Sequence, residues 1–166
     1  MNKTRFITTL VATAYFLYYC LTYTDWHFID NVNLIIHEAG HIIFLPFGEF
    51  LHILGGSLWQ VLLPLMFSFY FYQRREYFSA SLVLFWVGQN LINVSVYASD
   101  SIAMQLPLLG GDSTTHDWNA LLQMTGLLRY TSVIGSAIFS AGIFVIFCAI
   151  CFSFYYSFSK EELIIK

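Results

Sequence analysis

Hydrophobic residues along this chain come in five long runs, separated by short polar segments. Each run approaches or exceeds the roughly 20 mostly apolar residues that an α-helix needs to cross the hydrocarbon core of a membrane. The pattern therefore predicts an all-α, polytopic integral membrane protein. Its expected spans are Phe6–Tyr23, about Phe28–Phe47, Phe50–Tyr72, Tyr77–Tyr97 and Thr131–Phe158.

The third run contains the glycine-rich sequence Gly55-Gly56-Ser57 near its start. Adjacent glycines weaken a helix because glycine loses the most backbone freedom on folding. A break at membrane depth is tolerated only where it lines a cavity or packs on protein. The third run is therefore expected to be either a plain span or a re-entrant segment near Gly55-Gly56, giving about five to six transmembrane helices.

The segment between the fourth run and the last is different in character. Ser99–Thr115 is long and irregular, and it leads into an amphipathic segment, Ala120–Arg129. No change in composition along the chain marks a domain boundary. We expect a single membrane-embedded domain over residues 1–166, with a catalytic core at about residues 28–130.

Composition makes lipid the main solvent of this chain. Apolar residues are 58% of the sequence and charged residues 10%, against about 25% charged in soluble domains. So few charges cannot cover a water-facing surface, so we expect a multi-pass protein of the cell or inner membrane, in contact with membrane lipid. The net charge is −3 and the few basic residues form no cluster, so the sequence does not support nucleic-acid binding.

Basic residues beside the runs give conflicting orientations. Lys3 and Arg5 favour a cytoplasmic N-terminus, because positive charges concentrate on the cytoplasmic side. The other group favours cytoplasmic ends after the third and last runs: Arg74, Arg75, Lys160 and Lys166. Five alternating spans put the two groups on opposite sides, and four charges against two favour the C-terminus inside.

The second run carries the motif His37-Glu38-Ala39-Gly40-His41, an HExxH sequence. On an α-helix the two histidines leave the same face one turn apart and can share one metal ion. Glu38 then projects beside them, close enough to take a proton from a water molecule at the metal. Ionisable side chains are costly to bury in a membrane, so those that occur there are usually functional. The motif therefore predicts a zinc (Zn²⁺) hydrolase.

Polar residues of the second run fall on one line of that helix. Asn33, His37 and His41 follow Asp30 at offsets of three, seven and eleven residues. This stripe is expected to face protein or water. We expect Asn33 and Asp30 to orient a histidine by contacts made from beyond the metal ligands.

A catalytic zinc site commonly takes three protein ligands, so one more is needed. His116 and Asp117 stand where irregular chain gives way to a helix, and they are the stronger candidates. His52, across the turn after the second run, is better explained as an interfacial histidine. Asp100, after the fourth run, is better explained as a loop acid.

Amides and a hydroxyl in the neighbouring runs have two interpretations. Asn90 and Asn93 share a face of the fourth span, and Ser57 and Gln60 point the same way from the third. Hydrogen bonding between helices is one role. The other is to hold a substrate backbone or stabilise an oxyanion.

These features together resemble the site-2 protease family of intramembrane zinc metalloproteases, in its compact branch. The resemblance covers about residues 29–128 and rests on HEAGH at 37–41, on GGSLWQ at 55–60 and on a later acidic residue that opens a helix. Family members take their third ligand from the Asp of an L-D-G motif, which this chain lacks. Asp117 stands in a similar place, with His116 as the alternative ligand.

The resemblance implies a zinc metallopeptidase that hydrolyses peptide bonds of a membrane protein or peptide in or near the bilayer. In it His37, His41 and Asp117 would hold the metal, and Glu38 would be the general base. Two other functions stay open: a zinc-dependent membrane hydrolase of lipid amides or other amphiphiles, and a non-catalytic zinc-binding scaffold. The sequence does not define substrate identity or oligomeric state.

Overall fold

The computed structural model of the protein describes residues 2–107 and 115–159. Within these residues the chain is helical and contains no strand, which confirms the all-α prediction. Two short 3₁₀ turns, Leu45–Phe47 and Leu128–Tyr130, adjoin the helices. The helices are α1 (Lys3–Leu21), α2 (Phe28–Phe44), α3 (Glu49–Gln73), α4 (Tyr77–Ser99), α5 (Asp117–Met124) and α6 (Thr131–Phe158).

Three helical segments are long and apolar enough to cross a membrane: Glu49–Gln73, Tyr77–Ser99 and Leu128–Phe158. This is fewer than the five to six that we predicted. The second run falls short because α2 has only 17 residues. It passes into the 3₁₀ turn that contains Pro46, since proline has no backbone N–H to continue the α-helical hydrogen bonds. The first run gives a 19-residue helix with Lys3 and Arg5 in its first turn.

The third run forms one continuous helix, so the re-entrant segment expected near Gly55-Gly56 is not present. Helix α3 keeps its backbone hydrogen bonds through both glycines. The glycines serve close packing instead of a break: a Cβ on Gly55 would lie 2.8 Å from the carbonyl oxygen of Gly40 in α2. Small residues at such a crossing let two helix backbones approach closely.

Helix α4 is the central element and packs against α1, α3 and α6. Its Phe85 and Ile92 are fully buried and share a core with Tyr19 of α1 and with Ile146 and Ala149 of α6. The opposite face of α6 presents large apolar side chains outward, as expected of a surface that lipid covers. They include Val133, Phe144, Phe147, Phe152 and Tyr155.

Helix α1 begins where α6 ends. The backbone N–H of Asn2 donates to the carbonyl oxygen of Ser157 at 3.1 Å, and the Phe6 ring lies 5.8 Å from that of Phe158. The start of α4 lies at the same level, because Tyr77 stacks on Tyr156 with ring centroids 5.4 Å apart. We call this end of the bundle the basic end.

The basic end resolves the conflict between the two groups of positive charges. Lys3 and Arg5 lie there, and so does the turn with Arg74 and Arg75 that joins α3 to α4. The assumption of five alternating spans was wrong, because it required the two ends of the chain to lie on opposite sides. Lys160 and Lys166 lie outside the described residues.

Candidate metal centre

The two motif histidines and Asp117 meet at the far end of the bundle from the basic end. Oδ2 of Asp117 lies 3.0 Å from Nε2 of His37 and 3.2 Å from Nε2 of His41. The two Nε2 atoms are 3.1 Å apart. Within the part of the chain that the structure describes, these residues form the one group that could hold a metal ion.

Local helix geometry explains the histidine pair. The motif lies within α2 without interruption, so the two imidazoles leave one face a turn apart. As predicted, that face is the polar stripe, in which Asp30, Asn33 and His37 are buried. Gly56 of α3 lies directly beneath the rings, where a Cβ would come within 2.6 Å of both Nε2 atoms.

Each imidazole uses its other nitrogen to contact an oxygen atom of α3. Nδ1 of His41 donates to the carbonyl oxygen of His52 at 2.8 Å, and Nδ1 of His37 faces Oε1 of Gln60 at 3.2 Å. A neutral ring with its proton on Nδ1 has a lone pair on Nε2. Two such lone pairs and a carboxylate oxygen then converge, an arrangement that is repulsive unless a positive charge lies among them.

The spacing of these three atoms suits zinc. Tetrahedral zinc has ligands at about 2.0–2.1 Å, which places neighbouring ligand atoms about 3.3 Å apart. The observed separations of 3.0–3.2 Å are close to this value. Two neutral imidazoles and one carboxylate are also a set that catalytic zinc takes in other folds.

Asp117 is aimed by contacts that hold the start of α5. Its backbone N–H donates to the Tyr97 hydroxyl at 3.1 Å, and the Trp118 indole donates to Oγ of Ser57 at 3.0 Å. Burial tends to raise the pKa of Asp117, but in the metal-free protein hydrogen bonds from His37 and His41, when their Nε2 atoms are protonated, outweigh burial and lower that pKa to about 2. Asp117 is therefore a carboxylate at neutral pH.

The alternative ligand, His116, does not join this group. It is the N-cap of α5, where its Nδ1 accepts from the Asn119 backbone N–H at 3.3 Å. Its Nε2 points at Asp100, 3.4 Å away. Burial lowers the pKa of His116 despite the opposing effect of Asp100, so the ring is neutral at pH 7.

The two other ligand candidates also lie outside the group. His52 donates from Nδ1 to the carbonyl oxygen of His41 at 2.9 Å, and so satisfies one of the carbonyls that the last turn of α2 leaves free. Asp100 accepts from the backbone N–H groups of Gln105 and Leu106, both at 2.9 Å. Asp100 therefore acts as the loop acid that the sequence suggests.

Glu38 is exposed and lines a cavity of about 1020 Å³ that also reaches His37, His41 and Asp117. Helices α2, α3, α4 and α5 contribute to its walls, together with Trp26 and residues after α4. Among the described residues that line this cavity, none is a lysine or arginine. The Glu38 carboxylate therefore lies on the same cavity as the histidine pair, and this cavity has space for a substrate.

Residues expected outside the ligand shell differ in part from the prediction. Gln60, and not Asn33, contacts His37. Asn33 bonds instead to Gln89 and Trp86 of α4. Asn93 links Gln60 to Asp30 across three helices, which is the interhelical role.

Of the remaining polar candidates, Asn90 donates within its own helix to the carbonyl oxygen of Trp86. Tyr97 was missed by sequence reasoning. It stands one turn after Asn93 on the polar face of α4, and that spacing was the available signal.

The chain matches no protein-family model, no curated protein and no solved structure.

Proposed function

We propose that this protein is a zinc-dependent, membrane-embedded endopeptidase similar to the site-2 proteases. The observation that carries the proposal is the convergence of Nε2 of His37, Nε2 of His41 and Oδ2 of Asp117 within 3.2 Å of one another. Glu38 stands beside them on the wall of the same cavity. Such a set of groups fits hydrolysis better than a purely structural cluster, because it adds an exposed carboxylate to the ligands.

In the proposed mechanism His37, His41 and Asp117 hold the ion, and Glu38 moves the proton. A bound zinc ion would supply Lewis-acid chemistry, which lowers the pKa of water to about 7 and polarises a carbonyl group. Glu38 takes a proton from the attacking water and passes it to the leaving amine. The contacts of both Nδ1 atoms keep the imidazoles turned toward the ion during this exchange.

The size and the lining of the cavity favour a large substrate near the bilayer. Its volume, about 1020 Å³, is at the upper limit of typical small-molecule pockets, about 300–1,000 Å³. Leu34 and Ile53 line it beside the polar groups. A short extended stretch of a membrane peptide fits such a space, with apolar side chains against these walls.

We also propose that α1 is a fourth membrane crossing, beside the three segments that meet the length and composition requirement. It lies against α6, with Oγ1 of Thr9 donating to the carbonyl oxygen of Ser153 at 3.4 Å. Its outer face presents Ile7, Val11 and Leu21, which suits contact with lipid. Helix α2 then carries the metal site within a four-span bundle.

The first prediction tests the role of Glu38. Glu38→Gln keeps the shape of the side chain but removes the base, so we expect zinc to stay bound while hydrolysis falls by about 10²–10⁴-fold or more. The measurements are metal content of the purified protein and cleavage of membrane-spanning peptides in proteoliposomes. Glu49→Gln is the matched control, because Glu49 is an exposed glutamate that lines the same cavity and lies outside the metal-ligand group.

Unchanged cleavage in Glu38→Gln would refute the mechanism. If the wild-type protein binds zinc but cleaves no peptide, the proposed peptidase activity is wrong. In that case lipid amides, assayed in parallel, decide between an amphiphile hydrolase and a scaffold.

A further inference from the structure

Gln60 is an ambiguous partner for His37. An amide side chain can present either its oxygen or its nitrogen, whereas the carbonyl group that faces His41 can only accept. Only the oxygen of Gln60 favours a proton on Nδ1 of His37, which leaves Nε2 free to bind a cation. Something in the protein must therefore fix the orientation of this amide.

A chain of hydrogen bonds leads from Gln60 to a buried carboxylate. Nε2 of Gln60 donates to Oδ1 of Asn93 at 2.8 Å, and Nδ2 of Asn93 donates to Oδ1 of Asp30 at 3.1 Å. A carboxylate only accepts. Asp30 therefore requires the NH₂ group of Asn93, which turns the Asn93 oxygen to Gln60 and the Gln60 oxygen to His37.

A second chain reaches Asp30 from the other side and begins at a group that can only donate. The Trp86 indole donates to Oδ1 of Asn33 at 2.9 Å. Nδ2 of Asn33 donates to Oε1 of Gln89 at 2.8 Å, and Nε2 of Gln89 donates to Oδ1 of Asp30 at 2.9 Å. Both chains thus run toward the same carboxylate with every amide in a consistent orientation.

Asp30 is well suited to be that end point. Its side chain is buried, with 2% of the residue exposed. It also accepts from the Tyr19 hydroxyl at 3.1 Å and from the backbone N–H of His27 at 2.8 Å. All four of its described partners donate hydrogen bonds to it, so the carboxylate is held in an orientation that accepts from Asn93.

We propose that Asp30, acting through Asn93 and Gln60, favours the tautomer of His37 that has its proton on Nδ1. These three line the same cavity but lie outside the metal-ligand group, and they are positioning residues because they act on the metal site through His37. The proposal rests on the proposed function only in the purpose it gives the free Nε2. The bias acts in the metal-free protein as well, where the Asp117 carboxylate, 3.0 Å from Nε2 of His37, competes for the imidazole proton.

The test compares two asparagines of the network. Asn93 bonds to Gln60 of α3 and Asp30 of α2, and Asn33 bonds to Gln89 and Trp86 of α4. Asn93→Leu cuts the chain to His37, whereas Asn33→Leu cuts the other chain and loses a similar number of hydrogen bonds. In metal-free protein in nanodiscs, ¹⁵N NMR of the imidazoles should show the same fraction of His37 with its proton on Nδ1 in wild type and in Asn33→Leu. Asn93→Leu should show a smaller fraction, because Asn93 no longer holds the Gln60 oxygen against Nδ1 while Asp117 still accepts at Nε2. His41 should be unchanged.

Zinc affinity, measured by competition with a chelator, should follow the tautomer. Loss of such an outer partner typically costs about 10- to 100-fold in metal affinity, and we expect this for Asn93→Leu but not for Asn33→Leu. Gln60→Glu, which keeps an acceptor, should retain the Nδ1 proton and zinc. Gln60→Met, of similar size without one, should lose both.

Equal behaviour of the two asparagine variants, in tautomer and in affinity, would overturn the proposal, as would normal tautomer and affinity in Gln60→Met. If wild-type protein binds no zinc, the proposed function fails, while the NMR comparison still decides on the tautomer. If Asn93→Leu does not fold, the two Gln60 variants give the decision.

Discussion

At the scale of single residues, the candidate site depends on how Asp117 is presented. The residue before it caps α5, its own backbone N–H bonds to Tyr97, and the residue after it bonds to Ser57. These contacts fix the first turn of α5 against α3 and α4. The carboxylate therefore reaches the histidines without any ligand contribution from His116.

This arrangement predicts different outcomes for neighbouring substitutions. Asp117→Ala removes a ligand and should abolish stoichiometric zinc binding. His116→Ala removes only a cap, which typically costs about 0.5–2 kcal/mol, and should keep zinc. Metal analysis after purification gives the result, and thermal unfolding checks that both variants fold. Zinc retained in Asp117→Ala but lost in His116→Ala would exchange the two roles.

Sequence reasoning brought the histidine pair together because their spacing is local to one helix. It narrowed the third ligand to His116 and Asp117 by their position at the start of a helix, but it preferred Asp117 only through a family resemblance. The third ligand lies 80 positions from His37 and comes from a different element. Gln60 was recognised as polar and inward-facing, but its contact with His37 depends on how α2 and α3 cross. Single-helix periodicity carries no information on that crossing.

At the scale of elements, the crossing of α2 and α3 is built on glycines. Gly55 lies against the backbone of α2 at Gly40, and Gly56 lies beneath the two imidazoles. The helix boundaries themselves were close to prediction, because hydrophobic length defines them well. Of the two alternatives for the third run, the structure has the plain helix and not the re-entrant segment, because the low helix propensity of glycine is a weak preference that tertiary packing overrides.

The crossing predicts a contrast between adjacent glycines. Gly56→Ala puts a Cβ about 2.5–2.6 Å from both Nε2 atoms, so it should displace the imidazoles and abolish zinc binding. Gly55→Ala meets Phe44 and the Gly40 carbonyl oxygen instead and should mainly lower stability, by about 1–3 kcal/mol. Zinc titration and unfolding of each variant give the comparison, and zinc affinity equal to wild type in Gly56→Ala would contradict it.

At the scale of the whole molecule, both described ends of the chain lie at the basic end. Four of the five lysines and arginines among the described residues are there: Lys3, Arg5, Arg74 and Arg75. From the excess of positive charge we predict that this end is cytoplasmic. The number of crossings could not be read from the hydrophobic runs, because a 17-residue helix that carries the site looks like a span in sequence alone.

Cysteine labelling tests this orientation. In protein without Cys20, Cys148 and Cys151, single cysteines at Asn2 and Arg75 should react only with reagent on the cytoplasmic side. Cysteines at Met104 and Thr125, which are exposed at the other end, should react only from outside. Labelling of Asn2 and Arg75 from opposite sides would contradict the arrangement.

The separation of the ligands along the chain has a consequence for how the protein matures. A divalent ion shared by α2 and α5 would close a loop of 80 residues, and metal binding of this kind adds to the free energy that holds the joined parts together. Without the ion, α5 keeps its hydrogen bonds to Tyr97 and Ser57 and its buried Leu121 and Leu122, and the core around α4 stays intact. We therefore predict that a newly inserted molecule folds before it binds metal, and that under the proposed function zinc completes the site afterwards.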